Sequence, residues 1–162
     1  MFQVKAGYGE QITIKTTTAK VREFFADVRN FMSMMPNIES ILTDSQGVTR
    51  WKIRADIPII GSMDEVFNVV LSENTPNLIE WTPAKVESKN FLRYSADFVE
   101  KSATETLVQI SQAVELRREK ASDLHFLAGL AGEKMISQQM QSRVEKMIKD
   151  FLENARKTLE KV

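Results

Sequence analysis

Three polar side chains fall in step with apolar neighbours on stretches that alternate with a period of two. Glu65 shares its phase with Phe67 and Val69, Tyr94 with Leu92 and Ala96, and Gln112 with Ile110 and Val114. On a strand, residues in one phase point to one side. A carboxylate, a phenol and a carboxamide are thus aimed where apolar side chains gather. Two readings are open. These groups orient the polar end of a ligand, since pockets use a few such groups for specificity. Alternatively, each is a strand-end or locally satisfied polar residue. For Glu65 the second reading weighs more, because burying an unpaired carboxylate is costly.

Other chemistries find little hardware. The 162 residues contain no cysteine and one histidine, His125. Disulfides, thiolate catalysis and thiolate metal sites are therefore excluded. His125 lacks a histidine or cysteine partner, and no carboxylate cluster has calcium-loop spacing, so no metal is expected. As a general base it would need an orienting partner, which the sequence does not show. It reads as a surface or packing residue in a loop. No glycine-rich phosphate loop is present, and Gly47 and Gly61 are isolated turn glycines. Neither a catalytic residue nor a cofactor is expected. Lys plus Arg is 22 and Asp plus Glu is 22, a formal net charge of zero. That balance argues against a nucleic-acid partner, whose phosphates select for basic excess.

The elements that would position the three polar groups follow from periodicity. Glu10–Lys15 alternates and reads as a strand with Ile12 and Ile14 inward. One of Thr16, Thr17 and Thr18 caps a helix over residues 18–28, whose apolar stripe is Val21, Phe24, Phe25 and Val28. Asn30–Met35 forms a second short helix that Pro36 stops. Strands are expected at 38–45, 50–57, 63–73, 78–83, 89–100 and 105–117, with a tight turn at Gln46-Gly47. Inward sets are Trp51, Ile53, Ala55 and Ile57; then Phe67, Val69 and Leu71; then Leu92, Tyr94, Ala96 and Phe98; then Val108, Ile110, Val114 and Leu116. Residues 119–134 form a loop with at most one helical turn. Residues 135–161 form one long helix, with Ile136, Met140, Val144, Met147, Ile148, Phe151, Leu152, Ala155 and Leu159 on one stripe. Its far side carries Glu145, Lys149, Glu153 and Lys157, alternating in sign four residues apart.

A sheet with one apolar face needs a cover, and only the last helix is long enough to supply most of it. The fold class is α+β: a curved antiparallel sheet of about seven strands around a C-terminal helix, one domain over residues 1–162. The N-terminus shows no secretory signal, and the longest nearly apolar run, Phe126–Gly132, is far short of the roughly 20 residues of a membrane helix. A cytoplasmic location is the expectation.

The order of elements, and two local runs, resemble the helix-grip fold of the START and Bet v 1-like (SRPBCC) superfamily. The first run is Ile14–Val21 followed by Phe24–Phe31 and Met35-Pro-Asn-Ile38. The second is Leu127–Gly132 leading into the long helix. The opening is similar to polyketide cyclase/dehydrase-type and quinone-binding Coq10-like members. Ile57-Pro-Ile-Ile-Gly61 looks like the G-type carbon-monoxide-dehydrogenase proteins. The resemblance implies a deep apolar cavity between sheet and helix that takes a lipid, quinone or polyketide-like molecule, with no catalytic residue to carry over.

The expected lining is Trp51, Ile53 and Phe67, then Tyr94, Ala96, Phe98, Val108, Ile110 and Gln112, facing Met140, Val144, Met147 and Phe151. Ala96, small amid aromatics, is expected to leave space. Met32, Met34, Met35 and Met135 join Met140 and Met147 as adaptable lining or ordinary core. The cavity is expected to hold roughly 300–1,000 Å³. Its entrance is expected between the Asp123–Gly132 loop and the sheet. The leading function is carriage of a hydrophobic small molecule. Two rivals remain. One is a cyclase or dehydratase using the same cavity. The other is an assembly or membrane-recruitment protein like the G-type carbon-monoxide-dehydrogenase proteins, with transient membrane contact.

Overall fold

The computed structural model describes residues 1–161. Seven strands form one sheet in the order β1-β7-β6-β5-β4-β3-β2, every neighbouring pair antiparallel. They are β1 (Phe2–Ile14), β2 (Ile38–Thr43), β3 (Val48–Ile57), β4 (Gly61–Thr75), β5 (Leu78–Pro83), β6 (Asn90–Ser102) and β7 (Glu105–Arg118). Helices α1 (Thr18–Ala26) and α2 (Val28–Met34) follow β1. A 3-10 turn (Ala121–Asp123), the short α3 (Ala128–Ala131) and the long α4 (Glu133–Leu159) follow β7. This is the expected helix-grip arrangement. None of the described helices is long and apolar enough to cross a membrane.

Several boundaries differ from expectation, two of them for a clear local reason. The first strand begins at Phe2, because Phe2, Val4 and Ala6 bury one face against the core. The outer edge of that strand is covered by α4. Glu133 Oε2, Ser137 Oγ and Gln141 Oε1 accept from the backbone N–H groups of Gln3, Lys5 and Gly7 at 2.9, 3.1 and 2.8 Å. An edge strand's free amides are thereby satisfied by one polar stripe of the helix. The first helix ends at Ala26, two residues early. Asp27 leaves the helical region (ψ 104°) and caps α2 instead, its Oδ1 accepting from Arg29 N at 3.0 Å. The long helix starts at Glu133, two residues before the expected start.

The core lies between the concave face of the sheet and α4, closed at one end by α1 and α2. Its tightest part is aromatic. The Phe31 ring stacks on Phe151 at 4.8 Å and meets Tyr94 and Trp51 at 5.3 and 5.6 Å. Phe25 packs edge-on to Phe151 and Phe98 at 5.5 and 5.7 Å. Offset and edge-on geometries suit the ring quadrupoles. The expected inward phases hold, with one correction. Leu71 is 40% exposed, at the point where the β4–β5 register shifts between Leu71 and Glu73.

Candidate functional site

The gap between sheet and α4 is not evenly filled. Toward the β3–β4 hairpin it holds a cavity of about 70 Å³ with almost wholly apolar walls. Ile53, Ala55 and Ile57 come from β3, Met63 and Phe67 from β4, and Val114 and Leu116 from β7. Met140, Val144 and Met147 close it from α4. A second, smaller chamber of about 10 Å³ lies deeper, against Phe31, Met35, Trp51, Leu92 and Tyr94. Ile53, Gln112 and Met147 line both, so the two chambers adjoin at those side chains.

The alternation that makes these strands also aims their side chains. Tyr94 and Gln112 face one another across β6 and β7, and both are buried. Trp51 reaches the same chamber from β3. Trp51 Nε1 and the Tyr94 hydroxyl have no hydrogen-bond partner among the described residues. Burial pushes the Tyr94 phenol pKa well above its usual range, so it stays protonated at neutral pH.

The outer chamber reaches solvent between β3 and α4, where the exposed Arg54, Asp56 and Arg143 join its lining. Arg54 lies 3.6 Å from Asp56 and its Nη2 donates to Ser62 Oγ at 3.0 Å. The Ser62 hydroxyl donates to Asp56 Oδ1 at 2.6 Å and, with Arg54 and Arg143 nearby, holds that carboxyl below the usual carboxylate range. The hairpin beside this opening carries Ile59, a β-branched residue at φ 78° and 61% exposed. Few β-branched residues adopt that left-handed conformation.

Glu65 lines the outer chamber but is tied down. Its Oε2 accepts from Arg118 Nη2 at 2.9 Å and from Asn90 Nδ2 at 2.8 Å. Arg118 also donates to Asn90 Oδ1 at 2.9 Å. The carboxylate and guanidinium are 14% and 10% exposed. This network fastens β4, β6 and β7 together where β5 no longer runs between β4 and β6. The locally satisfied reading of Glu65 is therefore the correct one.

The thirteen expected lining residues divide. Ile53, Phe67, Gln112, Met140, Val144 and Met147 line the outer chamber, and Trp51 and Tyr94 the inner one. Ala96, Phe98, Val108, Ile110 and Phe151 line neither. They are fully buried core, because α1 and α2 bring Phe25 and Phe31 onto that half of the gap. The expected volume of 300–1,000 Å³ is corrected for the same reason, since Phe31 occupies the centre. The expected entrance is also corrected: no residue of Asp123–Gly132 lines either chamber. Of the methionines, Met35, Met140 and Met147 line the chambers, whereas Met32, Met34 and Met135 do not. Met63, Val114, Leu116 and Arg143 are additions to the expected lining. Val114 and Leu116 carry the signal of the inward phase, and Met63 lies two residues before Glu65 in the same phase. His125 is half-buried; its Nδ1 accepts from Leu127 N at 3.1 Å and its ring stacks on Phe126. Among the described residues no group of His, Cys, Asp and Glu is placed to hold a metal ion.

No family model and no curated protein matches the chain by sequence. Solved structures do match in shape. The Zhui aromatase/cyclase from Streptomyces sp. R1128 superposes with a TM-score of 0.69 at 16% identity, covering 96% of this chain and 94% of the other. BexL, a di-domain aromatase/cyclase from the BE-7585A biosynthetic pathway, gives 0.65 at 14% identity. It covers 98% of this chain, which spans 51% of the di-domain protein. A START superfamily protein from Mycobacterium smegmatis gives 0.52 at 15% identity, over 87% of this chain and 98% of the other. At such identities the likeness is one of fold: a curved antiparallel sheet around a long C-terminal helix, shared with these aromatase/cyclases and the START superfamily protein.

Proposed function

We propose that the chain binds a hydrophobic small molecule, carried in the gap between the sheet and α4. The observation that carries this reading is the pair of adjoining apolar chambers, which run from the Arg54–Arg143 opening to two buried, unpartnered polar groups. Mostly apolar walls with a few convergent polar groups are what small-molecule sites are made of. At about 70 Å³ the outer chamber is smaller than such a ligand. The ligand gains room by displacing Met63, Met140 and Met147, whose unbranched side chains repack at little cost.

A cyclase using the same cavity is the second reading, favoured by the shape match to aromatase/cyclases. The chemistry of the lining favours binding over proton transfer. Tyr94 holds its proton too tightly to serve as an acid or base near neutrality, and Glu65 is engaged by Arg118 and Asn90.

The test is native mass spectrometry and solvent extraction of protein purified from its own host. A co-purifying lipid, quinone or polyketide-like molecule, displaced by an apolar competitor, is the expected result. Protein that carries nothing and binds no apolar probe would overturn the reading.

A further inference from the structure

Most cations of α4 are explained by the helix itself. Lys146 pairs with Asp150, Lys149 with Glu145, and Arg156 and Lys157 with Glu153, each three or four residues away. Such pairs support a solvated helix face. Arg143 has none. The positions three and four residues from it hold Gln139, Met140, Lys146 and Met147, so the helix offers it no carboxylate and one like charge. Among the described residues it forms no ion pair at all. Its neighbours Met140, Val144 and Met147 line the outer chamber, and Arg143 stands with them at the opening. Its charge is felt across that opening, where it helps to hold the Asp56 carboxyl down.

The charges around the opening do not cancel. Arg54, Asp56, Glu65 and Arg143 are the charged residues of the outer chamber. Glu65 is matched by Arg118 at 2.9 Å. Asp56 is matched by Arg54 at 3.6 Å and accepts from the Ser62 hydroxyl at 2.6 Å. Arg143 remains as one uncompensated positive charge at the rim of an apolar space. Such a rim favours a molecule that is anionic at one end and apolar at the other. The planar fork of arginine matches a carboxylate through two parallel hydrogen bonds. At the exposed rim that carboxylate keeps much of its water, so little desolvation opposes the pairing.

The walls narrow the apolar end. Phe67 contributes the only ring to the outer chamber, among described residues, and the rest of its apolar lining is aliphatic or methionine. At about 70 Å³ the open space takes the leading carbons of a chain. A chain can advance carbon by carbon as the methionines give way, whereas a fused ring system needs its full width at once.

We infer, building on the binding reading above, that the ligand is an aliphatic-chain carboxylic acid bound tail-first, its carboxylate paired with Arg143 at the opening and its chain running into the outer chamber. Arg143 is thus the residue that selects an acid over a neutral molecule of the same length.

Three probes with one chain length test this: decanoate, decanamide and decylammonium, measured by calorimetry near neutral pH and at low salt. Decanoate should bind about fivefold tighter than decanamide, the upper end of what an exposed ion pair gives, and decylammonium should bind weakest. The preference for decanoate should shrink in molar salt, because exposed charges are screened. Arg143→Gln should bring decanoate down to decanamide, with decanamide binding and the Tm unchanged, and Arg143→Lys should keep part of the preference. Lys146→Gln removes the same charge from the same helix away from the opening and should leave the ratio nearly unaltered. Ala55→Leu should abolish binding of all three. Equal binding of decanoate and decanamide, strongest binding of decylammonium, an Arg143→Gln loss shared by decanamide, or equal effects of Arg143→Gln and Lys146→Gln would overturn the acid site and leave the binding reading standing. If no probe binds, or if binding survives Ala55→Leu undiminished, both fall.

Discussion

The two halves of the sheet–helix gap are built from the same alternating strands and the same helical stripe, yet they end differently. At the α1–α2 end, Phe25, Phe31, Phe98 and Phe151 interlock with ring centroids 4.8–5.7 Å apart. At the hairpin end, methionines, Ile53 and Ala55 face one another around open space. The sealed half resists change, since a close-packed interior feels the loss of a single methylene. The open half tolerates change, since its side chains have room to move. Stability resides at one end and, on the proposed function, recognition belongs to the other, with Tyr94 and Trp51 on the border.

The sharpest way to break this division is Phe151→Asp. It empties a large apolar site and buries a carboxylate without a partner, so it should cost about 5 kcal/mol or more, or prevent folding. A denaturant midpoint close to that of the native chain would show that the half is not sealed. Next in size is Arg118→Met, which leaves Glu65 and Asn90 without their cation at the edge of the open half. Removing one member of a mostly buried ion pair should cost about 3 kcal/mol. A loss below about 0.5 kcal/mol, typical of surface changes, would mean the network is decorative. Smaller still is Ile59→Gly. Glycine accepts φ 78° without penalty, so unfolding should become about 0.5–1 kcal/mol less favourable despite the flexibility glycine adds to the unfolded chain. A destabilised variant would show that the exposed isoleucine makes contacts that outweigh its strain. The smallest change in stability is expected from Ala55→Leu in the outer chamber. The cavity accommodates the added carbons, and ΔG should stay within about 1 kcal/mol. Probe binding should nonetheless be lost, and retention of full affinity would place the ligand elsewhere.

The same division explains what the sequence could and could not tell. Strand phases and the α4 stripe are legible because period and apolar spacing are local properties. Edge protection is not: Glu133, Ser137 and Gln141 repeat every four residues, but nothing local says that their partners are the amides of Gln3, Lys5 and Gly7, 130 or more residues away. Phe31 is the decisive case for the site. Its type and helix are visible, whereas its destination depends on how Asp27 turns α2 onto the sheet. Without that ring, Ala96 reads as a vacancy; with it, Ala96 is packed core and the open space shifts to Ala55 and Met63. Glu65, Tyr94 and Gln112 are all legible as inward-facing. Only the position of Arg118 and Asn90 separates the satisfied carboxylate from the unsatisfied phenol.

The central claim, that a hydrophobic molecule enters the methionine-lined half, is tested most directly by methyl NMR. The chain has eight methionines, of which Met63, Met140 and Met147 line the outer chamber and Met35 the inner one, whereas Met1 and Met32 are exposed. With 13C-methyl methionine and a titration of decanamide, the account predicts saturable shifts at Met35, Met63, Met140 and Met147, and none at Met1 or Met32. The same titration of Ala55→Leu should leave all of them still. Shifts confined to the exposed methionines, or no saturable shift at any concentration up to the probe's solubility, would contradict it.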